Sequence, residues 1–276
     1  SDEILLKVDK AARYIGGEVN SVMKDKNEVE IRFAMCFPDV YEIGMSNLGM
    51  MILYNMFNQR EDVWCERLFS PWPDLDKVMR EKKIPLFALE SQEPIRDFDF
   101  LGITIGYEMC YTNILQVLDL SGIPLKSADR GEDFPIVIGG GACAYNPEPL
   151  APFFDLFYIG EGETVYDALF DAYKANKKAG GSRRDFLLAA AKIPGIYVPS
   201  LYEVTYKEDG TIASFAPTEA GVPEKVQKQL IIDMEKEYRA VEAPVVPHIK
   251  ATQDRVTLEI QRGCIRGCRF CQAGMI

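Results

Sequence analysis

A chain of 276 residues, 47% hydrophobic and with a net charge of −11, has enough apolar material for one large folded domain or two ordinary ones. No apolar run approaches the ~20 residues that cross a bilayer, and the opening "SDEILLKVDKAARY" lacks a signal-peptide pattern, so a membrane is excluded as partner and a cytoplasmic address is expected. The acidic balance argues against general attraction to nucleic acid, which relies on cations neutralising phosphate, and no nucleic-acid partner is indicated.

Residues 1–28 read as an N-terminal arm with little periodicity. A regular alternation follows. "VEIRFAMC" (29–36) predicts a strand, and "LGMMILYNMFNQR" (48–60) carries apolar residues at helical spacing. "VWCERLF" (63–69) predicts a second strand, and "PDLDKVMREKK" (73–83) a helix. "FLGITIG" (100–106), "PIVIGGG" (135–141) and "DLFYIGEGE" (155–163) supply three more strands, with helices over 111–122 and about 164–178. Short apolar strands alternating with helices predict an α/β domain over 29–180 built on a five-stranded, doubly wound parallel sheet. Such sheets bind ligands at the C-terminal ends of their strands, which directs attention to loops 37–47, 107–111, 139–147 and 160–163.

The character changes at Gly180. Residues 181–250 predict a small α+β connector: a capped helix over 182–193, a hairpin over 202–218 turning near Asp209-Gly210, then a charged, proline-spaced stretch. "RVTLEIQ" (255–261) predicts a new strand, the start of a further unit over 251–276, and runs into "RGCIRGCRFCQAG" (262–274).

That loop gathers Cys264, Cys268 and Cys271. In a reducing compartment, clustered cysteines point to metal or catalysis rather than disulfides. Arg255, Arg262, Arg266 and Arg269 face the single acid Glu259 across the same window, which suits an anionic ligand or a negatively charged metal–sulfur cluster. Thiolates favour iron–sulfur clusters, zinc or copper(I). Zinc loops are usually paired CxxC motifs, and no second pair occurs. A four-iron cluster normally takes four cysteines, so three leave one iron open. The spacing C-x3-C-x2-C after a strand, with Phe270 before the last cysteine, resembles the signature of the radical SAM superfamily. The resemblance implies a [4Fe-4S] cluster on Cys264, Cys268 and Cys271. It further implies S-adenosyl-L-methionine at the open iron, an electron donor, and cleavage to a 5′-deoxyadenosyl radical. A (β/α) barrel typically takes about 250 residues. The chain is therefore expected to be a fragment whose partner is the remainder of its own barrel, and to be inactive alone. No catalytic residue is assigned.

In "FPDVYEIGMSNLG" (37–49), Asp39, Tyr41 and Gly44 match the D-x-H-x-x-G spacing of cobalamin-binding domains, with Tyr41 in the histidine slot. Gly139, Gly140 and Gly141 stand where such domains keep glycines for the corrinoid's nucleotide tail. "GYEMCYTNILQVLDLSGIPL" (106–125) and "GGGACAYNPEPLAPFFDLFYIGEGE" (139–163) resemble an uncharacterised radical SAM family with a cobalamin-binding-like domain in front; the likeness runs from about Arg13 to Ile276. It implies a flavodoxin-like fold, with Asp39, Tyr41, Gly44, Tyr107, Glu108, Gly139, Gly140, Gly141 and Glu161 around cobalamin. A corrinoid there would relay a methyl group. A neutral phenol is a poor cobalt ligand, so no histidine is expected beneath the metal. Structural readings stand beside these: Asp39 as a turn cap, the glycines as a turn, Tyr107 as core, Glu161 and Glu163 as helix caps. Cys36, Cys65, Cys110 and Cys143 read as buried apolar-like residues. Two alternatives remain: a second cluster on Cys36, Cys110 and Cys143, as in methylthiotransferases, and a cofactor-free interaction domain.

Overall fold

The computed structural model describes residues 2–237 and 239–274; Ser1, Tyr238, Met275 and Ile276, which belong to the expected arm, connector and C-terminal unit, lie outside the described residues. Five parallel strands form the centre: β1 (Ile31–Phe37), β2 (Val63–Phe69), β3 (Phe100–Thr104), β4 (Ile136–Gly140) and β5 (Leu156–Tyr158). A sixth, β6 (Ile196–Tyr197), pairs antiparallel with β5, giving the order β2-β1-β3-β4-β5-β6. The expected count of five is thus corrected to six. A two-residue strand between Pro194 and Pro199 is too short to leave a periodic signal, and it caps an edge that would otherwise be unpaired.

The helices longer than one turn are α1 (Leu48–Asn58), α2 (Pro73–Lys82), α3 (Tyr111–Leu120), α4 (Tyr166–Lys178) and α5 (Arg183–Ala190). Alternation along β1 divides them. Phe33, Met35 and Phe37 join α1, α4 and α5 in one core, whereas Ala34 and Cys36 join α2 and α3 in the other. With both faces covered, every residue of β1 and β2 is buried, including Arg32, Glu66 and Arg67, whose charges are met by ion pairs. The connection from β4 to β5 makes only short 3-10 turns, because Pro147, Pro149 and Pro152 deny it an α-helix.

Gly102 has no side chain because one would meet the Phe33 ring at 2.4 Å. That ring anchors an aromatic group with Phe57, Phe100 and Phe170, at centroid separations of 5.0, 5.8 and 5.9 Å.

Residues 2–28 lack periodicity yet pack firmly against the sheet. Glu18 is fully buried and holds Arg67 of β2 at 2.7 Å, while Glu90 holds the same guanidinium at 2.6 Å. Burial works to raise the Glu18 carboxyl, but Arg67 outweighs it and keeps that group below its ordinary range. For Glu90 burial prevails and the carboxyl is raised. One buried guanidinium can fully compensate only one of its two carboxylates.

The capped helix and the hairpin appear as expected. Ser182 and Asp185 form a reciprocal capping box at α5. Strands β7 (Tyr202–Tyr206) and β8 (Ile212–Pro217) pair antiparallel about Gly210, whose φ is +82°. The strand expected at 255–261 is not formed. No strand among the described residues pairs with this segment, and Val256, Leu258 and Ile260 are 84%, 78% and 89% exposed. A strand without a ladder partner leaves its backbone groups to water.

Candidate functional site

The parallel strands end along one edge, where their loops diverge around the switch between β1 and β3. A cavity of about 280 Å³ opens there, between the ends of β1, β3, β4 and β5 and the helices α1 and α4. Its walls are apolar and aromatic: Phe33, Met35, Ile138, Tyr158 and Tyr166. Asn47, the side-chain cap of α1, stands at its rim and accepts a hydrogen bond from the Met50 N–H at 2.9 Å.

The three glycines at the end of β4 do different things. A Cβ on Gly139 would strike Phe157 at 2.6 Å and Ile105 at 2.9 Å, so this glycine serves the core of the opposite face and does not line the cavity. A Cβ on Gly140 would enter open space, with the Tyr158 carbonyl 4.0 Å away, and Gly140 lines the cavity. Gly141 turns the chain at φ +99° beside the same cavity.

Across the switch, the Tyr107 hydroxyl donates to Asp39 Oδ2 at 2.5 Å, and Asp39 Oδ1 accepts the Val40 N–H at 2.7 Å. The Asp39 carboxylate, helped by burial, pushes the Tyr107 phenol up to about 12, so it stays protonated at neutral pH. The Asp39–Tyr107 pair is brought together at the strand ends, outside the cavity lining. Glu108 is exposed and opens the short turn Glu108–Cys110.

Tyr41 and Gly44 of the expected cofactor loop are placed in the core. Tyr41 is 1% exposed; its hydroxyl donates to Glu18 Oε1 at 2.9 Å and accepts the His248 N–H at 3.2 Å. Gly44 is a packing glycine, since a Cβ would meet the Phe69 ring at 2.2 Å. Both belong to the core beneath the loop. The histidine His248 is engaged through its ring with the Gly16 carbonyl at 2.8 Å.

The lip of the cavity is the turn after β5. Gly160 adopts φ +133°, Glu161 donates its N–H to the Gln229 carbonyl at 3.0 Å, and its carboxylate accepts the Ile231 N–H. A Cβ on Gly162 would meet Leu53 at 2.8 Å, so the turn sits directly on α1. Arg262 closes the lip. Its Nη2 lies 2.5 Å from Glu163 and 2.8 Å from Glu259, and its Nη1 3.8 Å from Glu161. Opposing carboxylates raise the Arg262 guanidinium further above its usual range. Sequence reasoning counted Arg262 and Glu259 only as part of a charged window and missed Tyr158 and Tyr166 as cavity walls.

Two residues beyond Arg262 the cysteine loop begins, turning at Gly263 and Gly267 with φ of +71° and +61°. Cys264, Cys268 and Cys271 are all exposed. Among the described residues, no three histidine, cysteine or acidic side chains converge as a metal-binding set, these cysteines included. Three open, soft donors on a glycine-hinged loop nevertheless fit a cluster supplied from outside. Cys36, Cys65, Cys110 and Cys143 are buried; burial pushes the Cys36, Cys110 and Cys143 thiols up, and Cys110 donates to the Tyr107 carbonyl at 2.9 Å. Protonated thiols packed among Ile103, Ile105 and Leu101 make poor metal ligands.

No helix among the described residues is long and apolar enough to cross a membrane. An uncharacterized protein of Methanocaldococcus jannaschii, MJ0966, is 25% identical over 244 residues, which cover 88% of this chain and 41% of that protein. The chain thus spans about two fifths of that relative's length. Among solved structures, the radical S-adenosylmethionine methyltransferase TsrM from Kitasatospora setae, with tryptophan substrate and a SAM analog bound, is 14% identical at a TM-score of 0.36, covering 65% of this chain and 29% of that one. The same methyltransferase with cobalamin and a [4Fe-4S] cluster bound gives 14% identity and a TM-score of 0.34, covering 72% and 31%. The sequence model of one family, radical SAM proteins, N-terminal, matches residues 49–199, more than half of the chain, and the chain belongs to that family.

Proposed function

We propose that this chain is the front part of a radical SAM enzyme. In this reading 1–28 is an arm, 29–180 a cobalamin-binding-like domain, 181–250 a connector, and 251–276 the start of the radical SAM unit. The observation that carries it is the placement of the C-x3-C-x2-C loop: its root, Arg262, is clamped on the lip of a cavity that opens at the C-terminal strand ends.

Cys264, Cys268 and Cys271 would hold a [4Fe-4S] cluster with S-adenosyl-L-methionine as its substrate. The cavity fits part of a corrinoid. A pocket of about 150 Å³ accepts a benzene ring, and whole ligands usually fill roughly 300–1,000 Å³. At about 280 Å³, the cavity takes a flat bicyclic ring such as the base of a nucleotide tail, and excludes the corrin itself. Gly140, Gly141 and Glu161 would bound that tail, and Asp39, Tyr107 and Glu108 lie at the adjoining strand ends. When bound, the cluster supplies the electron that cleaves the sulfonium, and the corrinoid a transferable methyl group.

The chain's own residues do the rest. Phe33, Tyr158 and Tyr166 give the cavity its apolar walls, while Gly140 leaves it open. The Tyr107 hydroxyl keeps its proton and donates it in a hydrogen bond to Asp39. Tyr41 and His248 are engaged within the chain, by Glu18 and by the Gly16 carbonyl.

The test is elemental. The chain is reconstituted anaerobically with iron, sulfide and hydroxocobalamin, desalted, and its metals counted. About four irons with about one cobalt, the iron lost on Cys→Ala changes at 264, 268 and 271, is the expected result. Iron without cobalt leaves the cluster and makes the sheet domain cofactor-free. About eight irons would move the reading to two clusters. No iron overturns it.

A further inference from the structure

We infer that Arg262 is the positioning residue that docks the cysteine loop on the cavity lip, so that loop and lip order one another. The inference deepens the proposed function, on which its meaning for the cluster rests; its geometry stands without any cofactor.

Among the described residues after Gln253, Arg262 alone makes hydrogen bonds or ion pairs with the sheet domain. The surrounding segment is exposed, whereas the Arg262 side chain is only 19% exposed. Its main partner, Glu163, is 6% exposed. A carboxylate so far from water needs a counter-charge, and taking away one partner strands the other. Glu259, three residues before Arg262, holds the guanidinium from its own segment through Nε and Nη2, both at 2.8 Å. The planar fork thereby bridges two parts of the chain about a hundred residues apart, which a lysine could not do with the same geometry.

The lip is as dependent on the loop as the loop on the lip. Glu161 and Glu163 sit in one turn held by Gly160, Gly162 and the Gln229 carbonyl. Coupling between two segments through one contact is reciprocal. Extended backbone rises about 3.3 Å per residue, so Cys264 begins within about 7 Å of the Arg262 backbone. Whatever fills the cavity therefore shares a wall with the root of the cysteine loop.

Hydrogen exchange on the full chain, without iron or cobalamin, tests this. Arg262→Gln is expected to speed exchange by about three- to tenfold in 255–263 and also in the distant turn 159–165. The double change Glu161→Gln with Glu163→Gln is expected to do the same in both segments, and combining all three to add little. Arg262→Lys, which keeps the charge but not the fork, falls between Gln and the native residue. A purely local role for Arg262 would leave 159–165 unchanged, and that result overturns the inference. An unaltered thermal transition of the sheet domain shows that the variants remain folded. Iron counted on the same variants after separate anaerobic reconstitution separates the two claims: exchange coupled through Arg262 in a chain that takes up no iron keeps the docking and removes the cluster reading.

Discussion

Single atoms decide what the glycine run at the end of β4 can do. Gly139 pairs with Ile103 and Phe157 in the sheet, and its missing Cβ is filled by the Phe157 ring. Gly139→Ala is expected to destabilise by about 1–3 kcal/mol through overpacking, seen as a lower urea midpoint. At Gly140 the same methyl enters the cavity, so Gly140→Ala is expected to leave stability unchanged or raise it by about 0.4–1 kcal/mol. It should nevertheless reduce cobalamin uptake in the reconstituted chain. A loss of stability at Gly140 equal to that at Gly139 would mean that both face packed core. "GGG" was legible as a close approach; which glycine faces the cavity was not, because that depends on sheet register. Tyr41 teaches the same lesson. Its place in a D-x-H-x-x-G spacing was visible in the sequence, whereas its burial against Glu18 depends on a partner 23 residues earlier in an aperiodic segment.

At the scale of elements, the segment 255–261 is the exception to an otherwise regular fold. Its alternation of Val256, Leu258 and Ile260 with polar residues is a strand pattern, and the pattern is real, but a strand exists only with a partner. From the polar positions Glu259 turns toward the lip, where it meets Arg262, and Val256, Leu258 and Ile260 lie open to water. An exposed apolar strand invites edge pairing between molecules. The triple change Val256→Thr, Leu258→Thr and Ile260→Thr should leave the thermal transition of the sheet domain within about 0.5 kcal/mol of its original stability. It should also slow self-association followed by light scattering. A large loss of stability would show that these side chains pack against the domain after all. By contrast the start of α5 was legible, because Ser182 and Asp185 cap it locally and need nothing from the rest of the chain, although the helix ends at Ala190, short of the expected 193.

For the whole molecule, charge is the property with a direct consequence for pH. Glu18 and Glu42 have folded-state values below the ordinary 4.5; burial opposes this in both, and Arg67 for one and Arg13 with Lys10 for the other overcome it. A carboxyl depressed on folding contributes stability that is full above its unfolded value and is lost as pH falls through the folded value. Glu90, raised by burial, has the opposite sign: its contribution is full below 4.5 and is lost as pH rises through its folded value. Asp62 and Glu93, each paired with cations, are depressed as well, so lowered carboxyls outweigh the raised Glu90 and the urea midpoint is expected to fall from about pH 5 downward. Glu18→Gln should lower stability near neutral pH by about 1–3 kcal/mol and flatten that acid slope. An unchanged slope would show that Glu18 is not ionised beside Arg67.

The sequence by itself determined the strand–helix alternation, the two-sided burial of the sheet, the hairpin, and the gathering of three thiols in a C-x3-C-x2-C loop. Each of these is written in residues close together, as periodicity, capping or spacing. Only the tertiary structure decided that Gly140 and not Gly139 borders the cavity, that Tyr41 is core, and that Arg262 meets Glu163 on the lip. Those outcomes are set by which distant segments the sheet order brings side by side, and no local pattern records them.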